Sequence, residues 1–407
     1  MDNVHGMPRR ISSVLAAAIG IVFGAACGDS NGGAPAAPSA PAISRTEGTP
    51  VPGAAEWTWV PFPDATCTDA IPDDLGRYRF GTSTTGLAIN WGPGTGSDLV
   101  IFLQGGGACW EFFTCGGAAP ILDKTASTGP FGPTEFARDV YDKYPRSWLR
   151  RSNLPVALRD ATVVFIPYCT GDVHGGDRVA TYGSLLPGAP SPTWHHVGHA
   201  NILAFLKRLA PTFPRPRKLV VSGASAGGFG SLVNYASLRA QWPGAKGYLV
   251  DDSGPPLVGN AIPALTRSGW YASWNLGASL DATCPGCRQD MSAALRELAA
   301  RYPSDRIALV SHLRDEVIRA FYATLVLTPT PTLAPMPGDA FEAELRRLGT
   351  TVLDPATSNA KYFFTAGGGH PTLDDPAAIT SPSPGLTAWL ELMLSDSPAW
   401  TSAADPQ

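Results

Sequence analysis

Charge is scarce in this chain. Asp, Glu, Lys and Arg make up only 16% of its 407 residues, and 34 acidic against 30 basic side chains leave a formal net charge of −4. The basic residues do not cluster, which removes the electrostatic footprint of a nucleic-acid binder. Beyond the leader no apolar run reaches the roughly 18 residues of a membrane span. Internal repeats are missing, as are a His-Glu-x-x-His zinc motif and a Lys-Ser/Thr P-loop ending. Apolar residues, by contrast, reach 44%, which excludes an extended disordered chain and suffices for a large buried core. The 44 glycines and 39 prolines point to long, structured loops rather than a helical bundle.

The N-terminus carries an export pattern. Arg9 and Arg10 precede an apolar stretch over 11–23, and Gly24, Ala25 and Ala26 lead into Cys27. A basic start, a short apolar run and small residues before a cut describe a signal peptide over 1–26. Cys27 behind those small residues is similar to a lipoprotein box, whose cysteine receives the lipid. Gly24 stands where that box usually has leucine, so plain secretion stays open. The stretch 27–56, rich in Gly, Ala, Pro and Ser, reads as a flexible tether, leaving one folded domain over 57–407. The expected location is outside the cytoplasm, as an envelope lipoprotein or a secreted protein, and any membrane contact is through that lipid.

Apart from Cys27 the cysteines are Cys67, Cys109, Cys115, Cys169, Cys284 and Cys287. An even set in an exported chain suggests disulfides, though sequence does not choose among the pairings. Cys284/Cys287 and Cys109/Cys115 are close enough to pair locally, which would leave Cys67 with Cys169.

Short apolar runs bounded by turn residues lie at 98–103, 162–167, 218–222, 247–251, 306–311 and 361–365. Runs of this kind predict strands buried on both faces. Helical periodicity falls at 197–209, 227–242, 289–302, 339–348 and 384–394. This alternation predicts an α/β fold with an open, mostly parallel sheet flanked by helices. Residues 78–90 alternate and suit an antiparallel edge hairpin. Two long inserts, roughly 110–160 and 255–304, carry aromatics including Trp148, Trp270 and Trp274; inserts of this length usually serve a function or hold helices of their own.

One turn carries the strongest chemical signal. Gly223-Ala224-Ser225-Ala226-Gly227 reads Gly-x-Ser-x-Gly between a strand and a helix, the arrangement that lifts a serine hydroxyl above a sheet edge. The hydroxyl needs a base, and the base an orienting acid. His370, delivered by a glycine run after the 361–365 strand, is the predicted base. Asp315, after the 306–311 strand, is the predicted acid. Its rivals are Glu316, Asp251, Asp252, Asp374 and Asp375. Amides of Gly106 and Gly107, after the 98–103 strand, and of Ala226 are placed to form an oxyanion hole.

These residues resemble the pectin acetylesterase/Notum family. Its marks are matched by Leu103-Gln104-Gly105-Gly106-Gly107-Ala108-Cys109, Tyr168-Cys169-Thr170-Gly171, Gly223-Ala224-Ser225-Ala226-Gly227-Gly228 and Asp252-Ser253-Gly254, in the family's order. The resemblance implies an α/β-hydrolase-like fold with long inserts near the active-site edge. It also implies carboxylic-ester hydrolysis through an acyl-enzyme, without metal or cofactor, by Ser225, His370 and Asp315 with Gly106, Gly107 and Ala226 as oxyanion donors. Gln104 replaces the family's usual Glu and Ala108 a bulky aromatic. Plant members deacetylate pectin and Notum removes a fatty acyl group, so the acyl and alcohol parts stay open: acylated polysaccharide, lipid, polyester or protein. A monomer is expected.

Two other classes compete. His174, His195 and His199 invite a metal-dependent hydrolase, with His195 and His199 on one helix face, while Asp172 would line the substrate cleft. A catalytically inactive, carbohydrate-binding lipoprotein would use its aromatics to stack on sugars.

Overall fold

A strand covered on both sides needs an apolar residue at every position, and the short Val/Ile/Leu runs of this sequence become parallel strands for that reason. The structure is a computed structural model that describes residues 40–72, 78–93, 98–115, 128–183, 191–322, 324–326, 332–354 and 359–407. The central sheet contains β1 (Thr49–Val51), β2 (Ala54–Pro72), β3 (Tyr78–Asn90), β4 (Leu99–Leu103) and β5 (Thr162–Ile166). It continues with β6 (Lys218–Ala224), β7 (Lys246–Asp252), β8 (Arg306–His312), β9 (Ala360–Thr365) and β10 (Ala403–Ala404). The spatial order is β1-β2-β3-β5-β4-β6-β7-β8-β9-β10. From β5 onward neighbours run parallel, and β1, β2 and β3 are antiparallel additions.

Helices α1 (Gly198–Thr212), α2 (Ala226–Gln241), α3 (Ala264–Trp274), α4 (Ala293–Arg301), α5 (Gly338–Leu348) and α6 (Leu386–Leu394) flank it. Side chains alternate between two cores. Leu99, Ile101, Leu219 and Val221 join Ile202, Phe205 and Leu232 of α1 and α2. Val100, Phe102, Val220 and Phe363 join Trp389 and Leu390 of α6. Each fully buried Leu, Ile or Val contributes about 1.5–3 kcal/mol. The six expected strands and five expected helices all form, within a few residues of their predicted ends. The architecture is α/β-hydrolase-like.

Two expectations are corrected. Residues 78–90 are not an edge hairpin: they form the single strand β3, third in the sheet, paired with β2 on one side and β5 on the other. Prolines and a register shift between Phe62 and Thr66 hid the partner strand. The fold also begins before Trp57. Ile43 is buried and its N–H donates to Thr212 Oγ1 at 2.7 Å, Glu47 takes a two-pronged ion pair from Arg208, and Val51 is buried in β1. A composition poor in apolar residues concealed these few anchors. The signal peptide, Cys27 and the first part of the tether lie outside the described residues.

The disulfides are Cys67–Cys169, Cys109–Cys115 and Cys284–Cys287, the pairing left by local proximity. No helix among the described residues is long and apolar enough to cross a membrane.

Parallel pairing sets the strand ends level. Leu103 lies opposite Gly223, Ala224 and Val310 opposite Asp252, and His312 opposite Thr365. The loops after β4, β6, β7, β8 and β9 therefore gather at one carboxyl edge, where open α/β sheets hold their ligands.

Candidate active site

Ser225 sits between β6 and α2 with φ 60° and ψ −121°, a region that costs a non-glycine residue on the order of 1–3 kcal/mol. Its neighbours hold it there: the Ser225 N–H donates to the Asp252 carbonyl at 2.8 Å. A Cβ at position 223 would lie 2.1 Å from the Gly227 carbonyl oxygen, and one at 227 would lie 2.0 Å from that of Leu103. The two flanking glycines are thus demanded by backbone contact between strand, turn and helix. Ser225 remains 8% exposed.

Asp315, fully buried, follows β8. Its Oδ2 accepts from His370 Nδ1 at 2.8 Å, and its Oδ1 accepts from the N–H groups of Val317 and Ile318 at 3.0 and 2.9 Å. This leaves Nε2 as the free nitrogen of His370. The glycines before His370 pack against side chains: a Cβ at 369 would lie 2.7 Å from His312 Nε2, and one at 368 would lie 2.8 Å from Glu316 Cγ, so either neighbour would have to shift. Burial pulls the imidazole pKa down, but the hydrogen bond and charge of Asp315, helped by Asp252 and Asp374, outweigh it and raise the pKa above the ordinary value.

The rival carboxylates have other partners. Asp252 accepts from Thr372 N, Thr372 Oγ1 and Leu373 N at 3.1, 2.9 and 2.7 Å, tying down the segment behind His370. Asp375 pairs with Arg146 at 2.8 Å. Asp251 is enclosed, and burial with the neighbouring Asp252 charge drives its pKa far upward. Asp374 and Glu316 line the cleft in front of His370; burial, then Asp252, pushes Asp374 up to about 7.

After β4 the chain turns through Gly106 and Gly107 at φ 153° and 75°, backbone that favours glycine. Ala226, at the first position of α2, has an amide without an intrahelical acceptor. Gln104 anchors this loop: its side-chain oxygen accepts from the Tyr168 N–H at 2.9 Å and its carbonyl from His174 Nε2 at 2.8 Å. Burial pulls His174 down to about 4, so the ring is neutral at ordinary pH and the proton it donates is fixed on Nε2. This buried support escaped the sequence; its signal was a pair of polar residues, Asp172 and His174, inside a run of glycines.

Asp172 does not line the cleft. It is fully buried and accepts from Thr170 Oγ1 and from the N–H groups of His174, Gly176 and Gly198 at 2.6, 3.1, 3.1 and 2.7 Å. Nor are His174, His195 and His199 brought together. His195 lies in a short strand (Thr193–His196) rather than on a helix, and His199 Nδ1 is hydrogen-bonded to Asn234 Oδ1 at 2.6 Å. Among the described residues the one cluster with ligand spacing is Cys109, Cys115 and His196, and its thiols are joined as a disulfide.

Two spaces of unequal size meet at Ser225. An open cleft of about 1040 Å³ is lined by Gly105, Gly106, Gly107, Ser225 and His370. A small apolar pocket of about 40 Å³ is lined by Gly107, Ser225, Ala226, Phe229, Trp270 and Trp274. The insert over 110–160 contributes Phe131, Lys143 and Tyr144 to the cleft, and that over 255–304 contributes Trp270, Trp274 and Met291 to the pocket. Both inserts border the site, as expected. Ser225 and His370 line one cleft without a hydrogen bond between their side chains.

Fold and site together define the α/β-hydrolase-like class, with a serine on a strand-to-helix turn. Residues 81–259 match the family model described as pectinacetylesterase. It is also similar to palmitoleoyl-protein carboxylesterase notum2 of Xenopus laevis, with 24% identity over 177 residues, 42% of this chain. The chain spans 30% of that relative's length. The family match covers the Gly105–Gly107 loop and Ser225, and ends before Asp315 and His370.

Proposed function

We propose that this chain is a serine carboxylic-ester hydrolase that deacylates an extracellular ester carrying a short acyl group, an acylated polysaccharide being the foremost candidate. The observation that carries this is the Asp315–His370 pair, delivered from two strand ends into the cleft that Ser225 also lines. In the proposed reaction His370 Nε2 takes the Ser225 proton as Oγ attacks the ester carbonyl. Asp315 holds the imidazolium, and the amides of Gly106, Gly107 and Ala226 take the developing oxyanion. The alcohol leaves with the proton from His370, and water, activated by the same imidazole, releases the acid. Catalytic hydrogen bonds in unliganded sites often tighten only with substrate bound, which fits the open Ser225–His370 approach.

The small apolar pocket supports a short acyl group. A cavity of about 150 Å³ holds a benzene ring, so one of about 40 Å³ suits an acetyl group and leaves no room for a fatty chain. The sugar-stacking alternative loses support because Trp148, Trp270 and Trp274 are buried, the last two stacked on each other at 5.5 Å. Three disulfides fit an oxidising compartment, and export with lipidation of Cys27 remains part of the proposal.

The test is a series of 4-nitrophenyl esters from acetyl to palmitoyl. Acetyl should be turned over best, with kcat/KM falling on the order of a hundred-fold by octanoyl. Ser225→Ala should lose at least about a thousand-fold. Undiminished activity of that variant would refute the mechanism, and a preference for long chains would refute the acyl assignment.

A further inference from the structure

The wide cleft is where the alcohol part of an ester would lie, and its charge is one-sided. Its lining includes the carboxyl groups of Glu135, Asp139, Glu316 and Asp374 against the cations of Arg138 and Lys143. Arg138 is occupied: its Nε and Nη2 donate to both carboxylate oxygens of Asp139 at 2.7 and 2.6 Å. A guanidinium fork committed in this way is not available for a substrate carboxylate. Lys143 is engaged first by the hydroxyl of Tyr144 and then by the charges of Asp374 and Asp139. Behind the cleft wall, Asp252 and Asp315 add two buried carboxyl groups beside His370.

We infer that this cleft accepts an uncharged, polyhydroxylated alcohol and disfavours a polyuronate backbone, so that the acetylated polymer served here is a neutral glycan rather than acidic pectin. The inference rests on the esterase mechanism proposed above. Its physical basis is the field at the base: the carboxylates that stabilise an imidazolium at His370 also confront any anion placed over Ser225. A polyuronate brings one negative charge per sugar into that field, whereas a neutral chain offers hydroxyls as hydrogen-bond donors to the exposed Glu316 at the cleft surface. Tyr144 and Phe321, both half-buried, border the cleft and offer flat apolar walls to sugar faces.

The experiment compares kcat/KM of the full chain on acetylated xylo-oligosaccharides and on acetylated oligogalacturonates of matched length, with 4-nitrophenyl acetate as the small neutral control. At about 0.01 M salt, where charges are felt over roughly 30 Å, the neutral oligomer should be favoured at least ten-fold. At about 1 M salt, where that reach is roughly 3 Å, the ratio should move toward parity. Asp139→Asn, which removes a carboxylate and frees the Arg138 fork, should lower the ratio at low salt. Glu316→Gln should do the same without touching Arg138. Equal or faster turnover of the oligogalacturonate at low salt would overturn the inference, as would a ratio indifferent to salt and to both variants. Failure to hydrolyse 4-nitrophenyl acetate would instead overturn the esterase mechanism beneath it.

Discussion

Three carboxyl groups, those of Asp315, Asp252 and Asp374, surround His370, and all of them favour its charged form. On the proposed mechanism His370 is the general base and must be neutral to accept a proton, so activity should rise as pH climbs through a value above the usual imidazole value of about 6.5. Asp374, at about 7, titrates in the same range, and the acid limb belongs to the pair. Asp374→Asn removes a charge that raises His370. The acid limb of kcat/KM for a small ester should then shift to lower pH by a few tenths to about one unit, and an unmoved limb would contradict the coupling. At this scale the placement of Ser225, His370 and Asp315 at strand ends, and the meeting of the last two, were legible because each follows a strand. Gln104 and His174 were not, since their role depends on which carbonyl a buried ring meets, and spacing along the chain does not encode that.

At the scale of elements, the contact of α2 with the end of β4 makes a sharp prediction. In an ordinary helix Gly→Ala is worth about 1 kcal/mol of stabilisation. At position 227 the added Cβ would lie 2.0 Å from the Leu103 carbonyl oxygen, backbone against backbone, with no flexible side chain to yield. Gly227→Ala should therefore destabilise by at least about 2 kcal/mol, read as a lower denaturant midpoint at unchanged slope; a neutral or stabilised variant would contradict the geometry. The parallel strands were readable because double coverage forces unbroken apolar runs. β2 was not, because Pro61 and Pro63 and its register shift break the alternation by which a half-covered strand is recognised.

For the whole molecule, the disulfides differ in how much chain they enclose. Cys67–Cys169 spans 102 residues, whereas Cys109–Cys115 and Cys284–Cys287 span 6 and 3. Restricting the unfolded chain favours the long loop: about 4–5 kcal/mol against roughly 2 for the short ones. Replacing Cys67 and Cys169 by Ala should lower the unfolding free energy measured in guanidinium by more than the same change at Cys284 and Cys287, and the reverse order would contradict a loop-entropy origin. The long second strand, which carries Cys67, is thereby stitched to the segment that follows β5.

On the proposed mechanism the acyl fragment stays bonded to Ser225 while the alcohol departs first through the wide cleft, and the acylated serine waits for whatever arrives next. Water completes a hydrolysis; a second hydroxyl compound, if it occupies the vacated side sooner, carries the fragment away as a new ester.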